Sequence, residues 1–276
     1  MKLAIFTVML PDMTPEKAAQ EIKAAGYDGV EWRVTNVPDD VKDDAPSFWG
    51  NNLCTLSPTE EDAKRARQIS EEAGLETPTI GTYIRMNDIE GVKAAIKFAQ
   101  VLGCKQFRVG FGNFTGNYTE QFEAAKSFLA EAIDLAKGAQ LKPLVEIHHR
   151  TIVPSASLMY RLVSNFSPSE VGVIHDAGNM VHEGFEDYRM GLELLGDYLA
   201  EVHIKNASYE PKKAGVWQSG WSPLRNGVVD FNALFGALKA SGYDGWLAVE
   251  DFSKALPSKE ALADNIAFIK EVWEAA

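Results

Sequence analysis

Four side chains stand at the ends of apolar runs where a solvated chain would not put them. Glu146 lies in LVEIHHR (144–150), Asp176 closes VGVIHD, His203 ends EVH before IKN, and Glu250 closes WLAVE. A buried carboxylate is costly unless a cation or a metal shares its space. Three carboxylates brought to one place would repel one another, and a divalent ion that coordinates all three together with an imidazole removes the difficulty. Three hard oxygen donors and one nitrogen suit manganese or magnesium, with cobalt or zinc as alternatives.

That chemistry requires elements that bring the four together. Eight β-branched or apolar runs recur along the chain: KLAIFTVM, GVEWRV, TPTIGTYI, KQFRVGFG, KPLVEIHH, VGVIHDAG, AEVHIKN and GWLAVED. Segments with helical spacing separate most of them, which is the pattern of βα units around a parallel sheet. Thr14-Pro15 opens the first helix, and Asp230 is placed to cap the seventh. Ser57 to Glu60 reads as a capping box with Pro58 at the first helical position, opening a helix through Glu72. Gly26 and Gly242 mark helix stops. The near copies AAGYDGVEW (24–32) and ASGYDGWLAVE (240–250) echo each other as helix end, turn, strand and glutamate. No linker or low-complexity tract divides the chain. The expectation is α/β: one (β/α)8 TIM barrel over residues 1–276, with Glu146, Asp176, His203 and Glu250 at the C-terminal ends of its strands.

The whole chain resembles the xylose isomerase-like barrel superfamily of sugar isomerases and epimerases. The resemblance rests on the entry GYDGVEW, on Glu146-Ile147-His148, on Asp176-Ala177-Gly178-Asn179, on His203-Ile204-Lys205 and on the ending GYDGWLAVED. It implies that Glu146, Asp176, His203 and Glu250 hold one divalent metal, and that the two glutamates exchange protons with the substrate. Asn179 stands where a histidine is frequent in that family, and Asn206 where an aspartate often follows the lysine.

A metal bound to a substrate carbonyl stabilises the enediolate left when an α proton departs, and Glu146 and Glu250 can then serve as base and acid. Both acting on one carbon gives an epimer; one carrying the proton between adjacent carbons gives an aldose–ketose isomer. A dehydratase or lyase on the same site differs only in the fate of the enediolate. His148, Asn179, Lys205, Trp217 and Arg225 are expected to bind the substrate. His149 and His175 alternate away from the site by strand parity, and His182 reads as a loop residue. Glu31 and Arg108, charged within apolar strands, are expected to form an ion pair supporting the site. The long loops NASYEPKKAGVWQSGWSPLRNG and WRVTNVPDDVKDDAPSFWGNN, with Trp217 and Trp221 in the first, read equally as lids and as subunit contacts.

The bulk properties narrow the partners. At 276 residues, 46% hydrophobic and 24% charged, the composition is that of an ordinary globular protein. A net charge of −12 opposes contact with a phosphodiester backbone. That acidity, and the confinement of all five histidines to positions from 148 onward, disfavours the endonuclease IV type of barrel, which draws histidines from its early strands. A barrel that binds a sugar without turning it over is a further alternative. MKLAIFTVML reads as a first strand, no run is long enough to span a bilayer, and Cys54 and Cys104 read as free thiols. The expected setting is cytoplasmic, with a small carbohydrate as substrate, no nucleic acid or membrane partner, and a homo-oligomer as one possibility. No glycine-rich phosphate cradle is visible, which leans toward a free sugar or polyol-derived ketone.

Overall fold

The expected barrel is present in the computed structural model, which describes residues 1–276. Each of the eight runs supplies one parallel strand: β1 (Lys2–Phe6), β2 (Gly29–Val34), β3 (Ile80–Thr82), β4 (Gln106–Val109), β5 (Lys142–Glu146), β6 (Gly172–Asp176) and β7 (Leu199–Ile204), with the last following a hairpin. The hairpin consists of β8 (Asn206–Lys213) and β9 (Val216–Ser222), and β10 (Trp246–Val249) completes the barrel. Strand neighbours follow chain order, and β1 pairs with both β2 and β10 to close the cylinder. The hairpin is a separate two-stranded antiparallel sheet.

Helices form the outer layer: α1 (Pro15–Ala25), α2 (Glu60–Ala73), α3 (Ile89–Leu102), α4 (Tyr118–Gly138), α5 (Ala156–Val163), α6 (Ala177–Glu183), α7 (Tyr188–Leu195), α8 (Phe231–Ala240) and α9 (Ser258–Ala275). Thr14 and Asp230 cap α1 and α8 as their side chains predict. The cap of α2 lies two residues beyond the expected one. Thr59 Oγ1 accepts from the Asp62 N–H at 3.2 Å, and Asp62 Oδ2 accepts from the Ser57 N–H at 2.7 Å, so Asp62 reaches back past the cap to Ser57 and the box is not reciprocal. Gly26 ends α1 at φ 96°, a left-handed conformation that costs a residue without a Cβ little.

The apolar core joins strand faces and helix faces in one cluster, including Ile5, Trp32, Phe107, Val145, Leu234 and Ile269. Both cysteines are buried and unpaired in a bond. No helix is long and apolar enough to cross a membrane.

The segment after β7 departs from a simple loop. Asn206 to Ser222 folds back on itself about Gly215 at φ 74°, and the tyrosine hydroxyl of Tyr209 donates to the carbonyls of Val181 and His182 at 2.7 Å, leaning the hairpin on α6. Asn206 anchors its base. The Asn206 side chain accepts from the Val229 N–H at 2.9 Å and donates to the Leu224 carbonyl at 2.8 Å. A Cβ on Gly227 would stand 1.9 Å from Asn206 Oδ1, so the chain can pass there only without a side chain.

Candidate functional site

Strand ends position the four expected residues. Glu146 is the last residue of β5, Asp176 the last of β6, His203 points inward from β7, and Glu250 follows β10 with its N–H bonded to the Ile204 carbonyl at 3.0 Å. One ligand atom from each lies within 4.8 Å of the others, and all four residues are buried. Asp176 is also the N-cap of α6. Its Oδ1 accepts from the Asn179 N–H at 2.8 Å, which leaves Oδ2 for the shared centre.

The histidine gives this cluster its direction. His203 Nδ1 lies 3.4 Å from Glu146 Oε1, 3.7 Å from Glu250 Oε2 and 4.0 Å from Asp176 Oδ2, yet it has no hydrogen-bond partner. Its other nitrogen, Nε2, lies 3.1 Å from Glu31 Oε2. Burial lowers the imidazole's proton affinity, but Glu31, Glu250 and Glu146 around it outweigh burial and raise it well above its ordinary range. Nδ1 still has no hydrogen-bond partner among the three carboxylates it faces, and a divalent ion in place of its proton is the partner that the O3N donor set fits.

Charge leads to the same place. Glu31, Glu146, Asp176, Glu201 and Glu250 are all buried in this part of the barrel, against the cations of Arg33, Arg108 and Lys205. A divalent ion would close that deficit. Without one, burial pushes Asp176 up to about 7, with Glu146 and Glu250 adding and Lys205 opposing, and burial beside Glu31 pushes Glu201 up to about 8.

Two cations hold the glutamates ionised. Lys205 Nζ is 2.5 Å from Glu250 Oε2 and 2.6 Å from Asp176 Oδ2, and Arg108 Nη1 is 2.6 Å from Glu146 Oε2. Burial raises both glutamates. Arg108 together with His203 and Lys205 outweighs it at Glu146, which falls well below the usual carboxylate range, and Lys205 with His203 outweighs it at Glu250, which falls to about 2. Arg108 is itself fixed, donating through Nε and Nη2 to the Thr82 carbonyl. Asn179 ties the carboxylates together. Its Nδ2 donates to Glu146 Oε1 at 3.0 Å and Asp176 Oδ2 at 2.8 Å, a bridge that uses both hydrogens of the amide nitrogen.

A cavity of about 270 Å³ opens over this floor, with His148, His149 and Lys205 at its polar side and Trp49, Trp221 and Phe252 among its walls. The expected substrate contacts divide accordingly. His148 and Lys205 line the cavity, and Asn179 lies beneath it, fully buried. Trp217 does not reach it: the side chain is 64% exposed, on the hairpin strand opposite Pro211. Arg225 is turned to the outside of the barrel, where it pairs with Asp264 at 3.0 Å and Glu271 at 3.3 Å on α9, so the expected substrate contact is replaced by a surface ion pair.

Other expectations are corrected. Glu31 and Arg108 do not bond each other; Glu31 takes His203 and Arg108 takes Glu146. His149 was expected to pack away from the site, but strand alternation ends at Glu146, and the following turn carries Arg150 at φ 62°. Its ring therefore faces the cavity and contacts Asn179 Oδ1 at 2.8 Å. His182 belongs to α6 rather than a loop, bonds Ser219 of the hairpin at 2.7 Å and stacks on His149 with centroids 4.4 Å apart. His175 points away as parity requires. Tyr83 was not anticipated, although it walls the cavity with the Arg33 and Arg108 guanidinium groups each 5.0 Å from its ring.

Residues 19–272 match the model of a family described as Xylose isomerase-like TIM barrel. The chain is similar to an inosose dehydratase of Lacticaseibacillus casei, 28% identical over 156 residues, covering 52% of each protein. It is also similar to the L-ribulose-5-phosphate 3-epimerase UlaE of Salmonella paratyphi A, 26% identical over 180 residues, covering 64% of this chain and 61% of that one. The matches thus span between half and two thirds of those curated relatives' length. Among solved structures, the IOLI protein with a binding zinc atom superposes with a TM-score of 0.76 at 18% identity, covering 100% of this chain and 99% of that one, which establishes the shared fold.

Proposed function

The chain belongs to the xylose isomerase-like TIM barrel family, and from that premise we propose that it is a divalent metal-dependent isomerase or epimerase of a small carbohydrate. The observation that carries this reading is the unpartnered Nδ1 of His203 among three buried carboxylates. Glu146, Asp176, His203 and Glu250 would hold the ion, with manganese the best suited and magnesium, cobalt or zinc as alternatives. A bound ion would supply Lewis acidity toward a substrate carbonyl. The IOLI protein, a structural relative with a binding zinc atom, supports this reading.

The chain's own residues supply the proton chemistry. Glu146 and Glu250 are held ionised and rise from β5 and β10, strands separated in the barrel by β6 and β7. A sugar lying between them offers a different face to each. One carboxylate removes a proton from the carbon beside the carbonyl, and the electron pair moves onto the carbonyl oxygen to give an enediolate. Proton return from the opposite glutamate, once it has taken up a proton from solvent, inverts that carbon; return of the abstracted proton to the neighbouring carbon moves the carbonyl. Lys205 and His148 are placed to donate to substrate oxygens, and Trp221 offers an aromatic wall to the apolar face of a sugar ring.

The similarity to inosose dehydratase favours a second reading. The same proton abstraction followed by departure of the β-hydroxyl as water would make the protein a dehydratase.

The test is a panel of ketoses, aldoses and inososes incubated with manganese-loaded protein in heavy water. Deuterium entering the carbon beside the carbonyl, with conversion to an epimer or isomer, supports the first reading; loss of water supports the second. Full metal loading with no exchange in any member of the panel would sink both.

A further inference from the structure

We infer that the substrate carries an apolar-faced substituent on its sugar, such as the aglycone of a glycoside, and that a side chamber next to the candidate metal centre receives it. This rests on the reading of the mouth as a carbohydrate site. The chamber has a volume of about 340 Å³ and lies over β3, β4 and β5. It is continuous with the mouth, sharing Tyr83, Arg108, Glu146 and His148 with it. A ligand seated over the carboxylates can therefore extend into it.

The walls decide what the extension is. Ile84, Val109, Phe111, Val145 and Val153 present apolar surface. Three threonines also line the chamber, but their hydroxyls are spent within the protein. Thr82 donates to the Arg108 carbonyl, Thr115 to Gln121 Oε1 and Thr151 to the His148 carbonyl. Of the polar side chains left over, Arg85 and Asn113 are exposed at the rim, and Tyr83, whose hydroxyl has no partner, and His148 stand on the side shared with the mouth. An occupant with many hydroxyls would leave them unpaired against those walls, which is unfavourable; an apolar ring or chain would bury surface at little cost.

A phosphate is the chief competitor for this space, and the charges disfavour it. Of the two arginines that line the chamber, Arg85 is exposed at its rim, and Arg108 is already bonded to Glu146 and twice to the Thr82 carbonyl. Glu146 itself lines the same space and would repel an anion.

The experiment is calorimetric titration of the manganese-loaded protein with glucose, galactose, mannose and xylose, each alongside its methyl and phenyl glycoside, and with glucose 6-phosphate. The phenyl glycoside of at least one sugar should bind about tenfold tighter than the free sugar, with the methyl glycoside between them. The Ile84→Phe and Val153→Phe variants, which fill the chamber from two different strands' loops, should each bring that ratio toward one while metal content stays unchanged. The inference is overturned if no phenyl glycoside gains over its sugar, if the gain survives in both filled variants, or if glucose 6-phosphate binds tightest. Metal content and solvent deuterium exchange, measured on the same preparations, test the enzymatic reading separately, so a failure of that reading is distinguishable from an empty chamber.

Discussion

His203 gives its Nε2 to Glu31 at 3.1 Å and keeps Nδ1 for the space between Glu146, Asp176 and Glu250. A carboxylate behind an imidazole fixes which nitrogen carries the proton and how the ring is turned. Glu31→Leu should therefore weaken manganese binding by about ten- to a hundredfold, although Glu31 is not one of the four converging ligands. Calorimetric titration of the metal checks this. Unchanged affinity would mean that packing alone orients the ring.

Glutamine at position 146 or 250 keeps size and an oxygen donor but cannot accept a proton as a carboxylate does. Metal affinity should fall only in part, and saturating manganese should restore occupancy. Turnover of whatever substrate the exchange panel identifies should still drop by about a hundredfold or more. Near-native rates in both metal-saturated variants would reduce these residues to ligands.

The aromatic residues of the hairpin should separate in kinetics. Trp221 walls the cavity, so Trp221→Ala should raise KM several-fold with metal content unchanged. Trp217→Ala and Arg225→Ala should leave KM within about twofold, and the surface ion pair lost with Arg225 should cost at most about 1 kcal/mol of stability. A large KM effect from Trp217 would show that the hairpin closes over substrate.

His175 provides a pH signature remote from turnover. Burial holds its imidazole down to about 4 from an ordinary value of 6.5, and neither ring nitrogen has a hydrogen-bond partner. Between those values the unfolded chain binds a proton that the folded chain refuses. Folding stability is therefore lost as pH falls through this window, by up to about 3 kcal/mol from this group. His149 and His182, also held low by burial, add to the loss. Thermal melting of His175→Leu and the unaltered protein at pH 7 and pH 5 should show a smaller drop in the variant. Equal drops would mean that His175 finds a way to be solvated.

Residues that close apolar runs are legible from the sequence, and residues in the turns and loops that follow are not. Glu146, Asp176, His203 and Glu250 terminate apolar runs, and the alternation of βα units is enough to bring such positions to one mouth. His149 escaped because two-residue periodicity was carried past Glu146 into a turn that obeys none. The partner of Arg108 escaped for another reason. Burial requires only that a charge be compensated; whether Glu31 or Glu146 does so depends on the stagger of strands around the cylinder, which a linear pattern does not contain. Tyr83 and Phe252 look like ordinary apolar residues, Trp49 belongs to a loop that reads equally as a lid and as a subunit contact, and their meeting depends on where long loops return. Arg225 looked free in its loop until α9 presented Asp264 and Glu271.

The pairing of β1 with β10 sets a condition on biosynthesis. Ala4 meets Ala248 in that register, so the seam of the cylinder joins the first and the last of the barrel strands to be made. While a ribosome is still translating the βα units between them, β1 has a partner on one side and an open row of backbone donors and acceptors on the other. The mouth cannot assemble in that interval either, since Glu250 emerges directly behind the closing strand. The nascent barrel is thus exposed to wrong strand partners until β10 is made, and its site comes into being in the same step that removes the exposed edge.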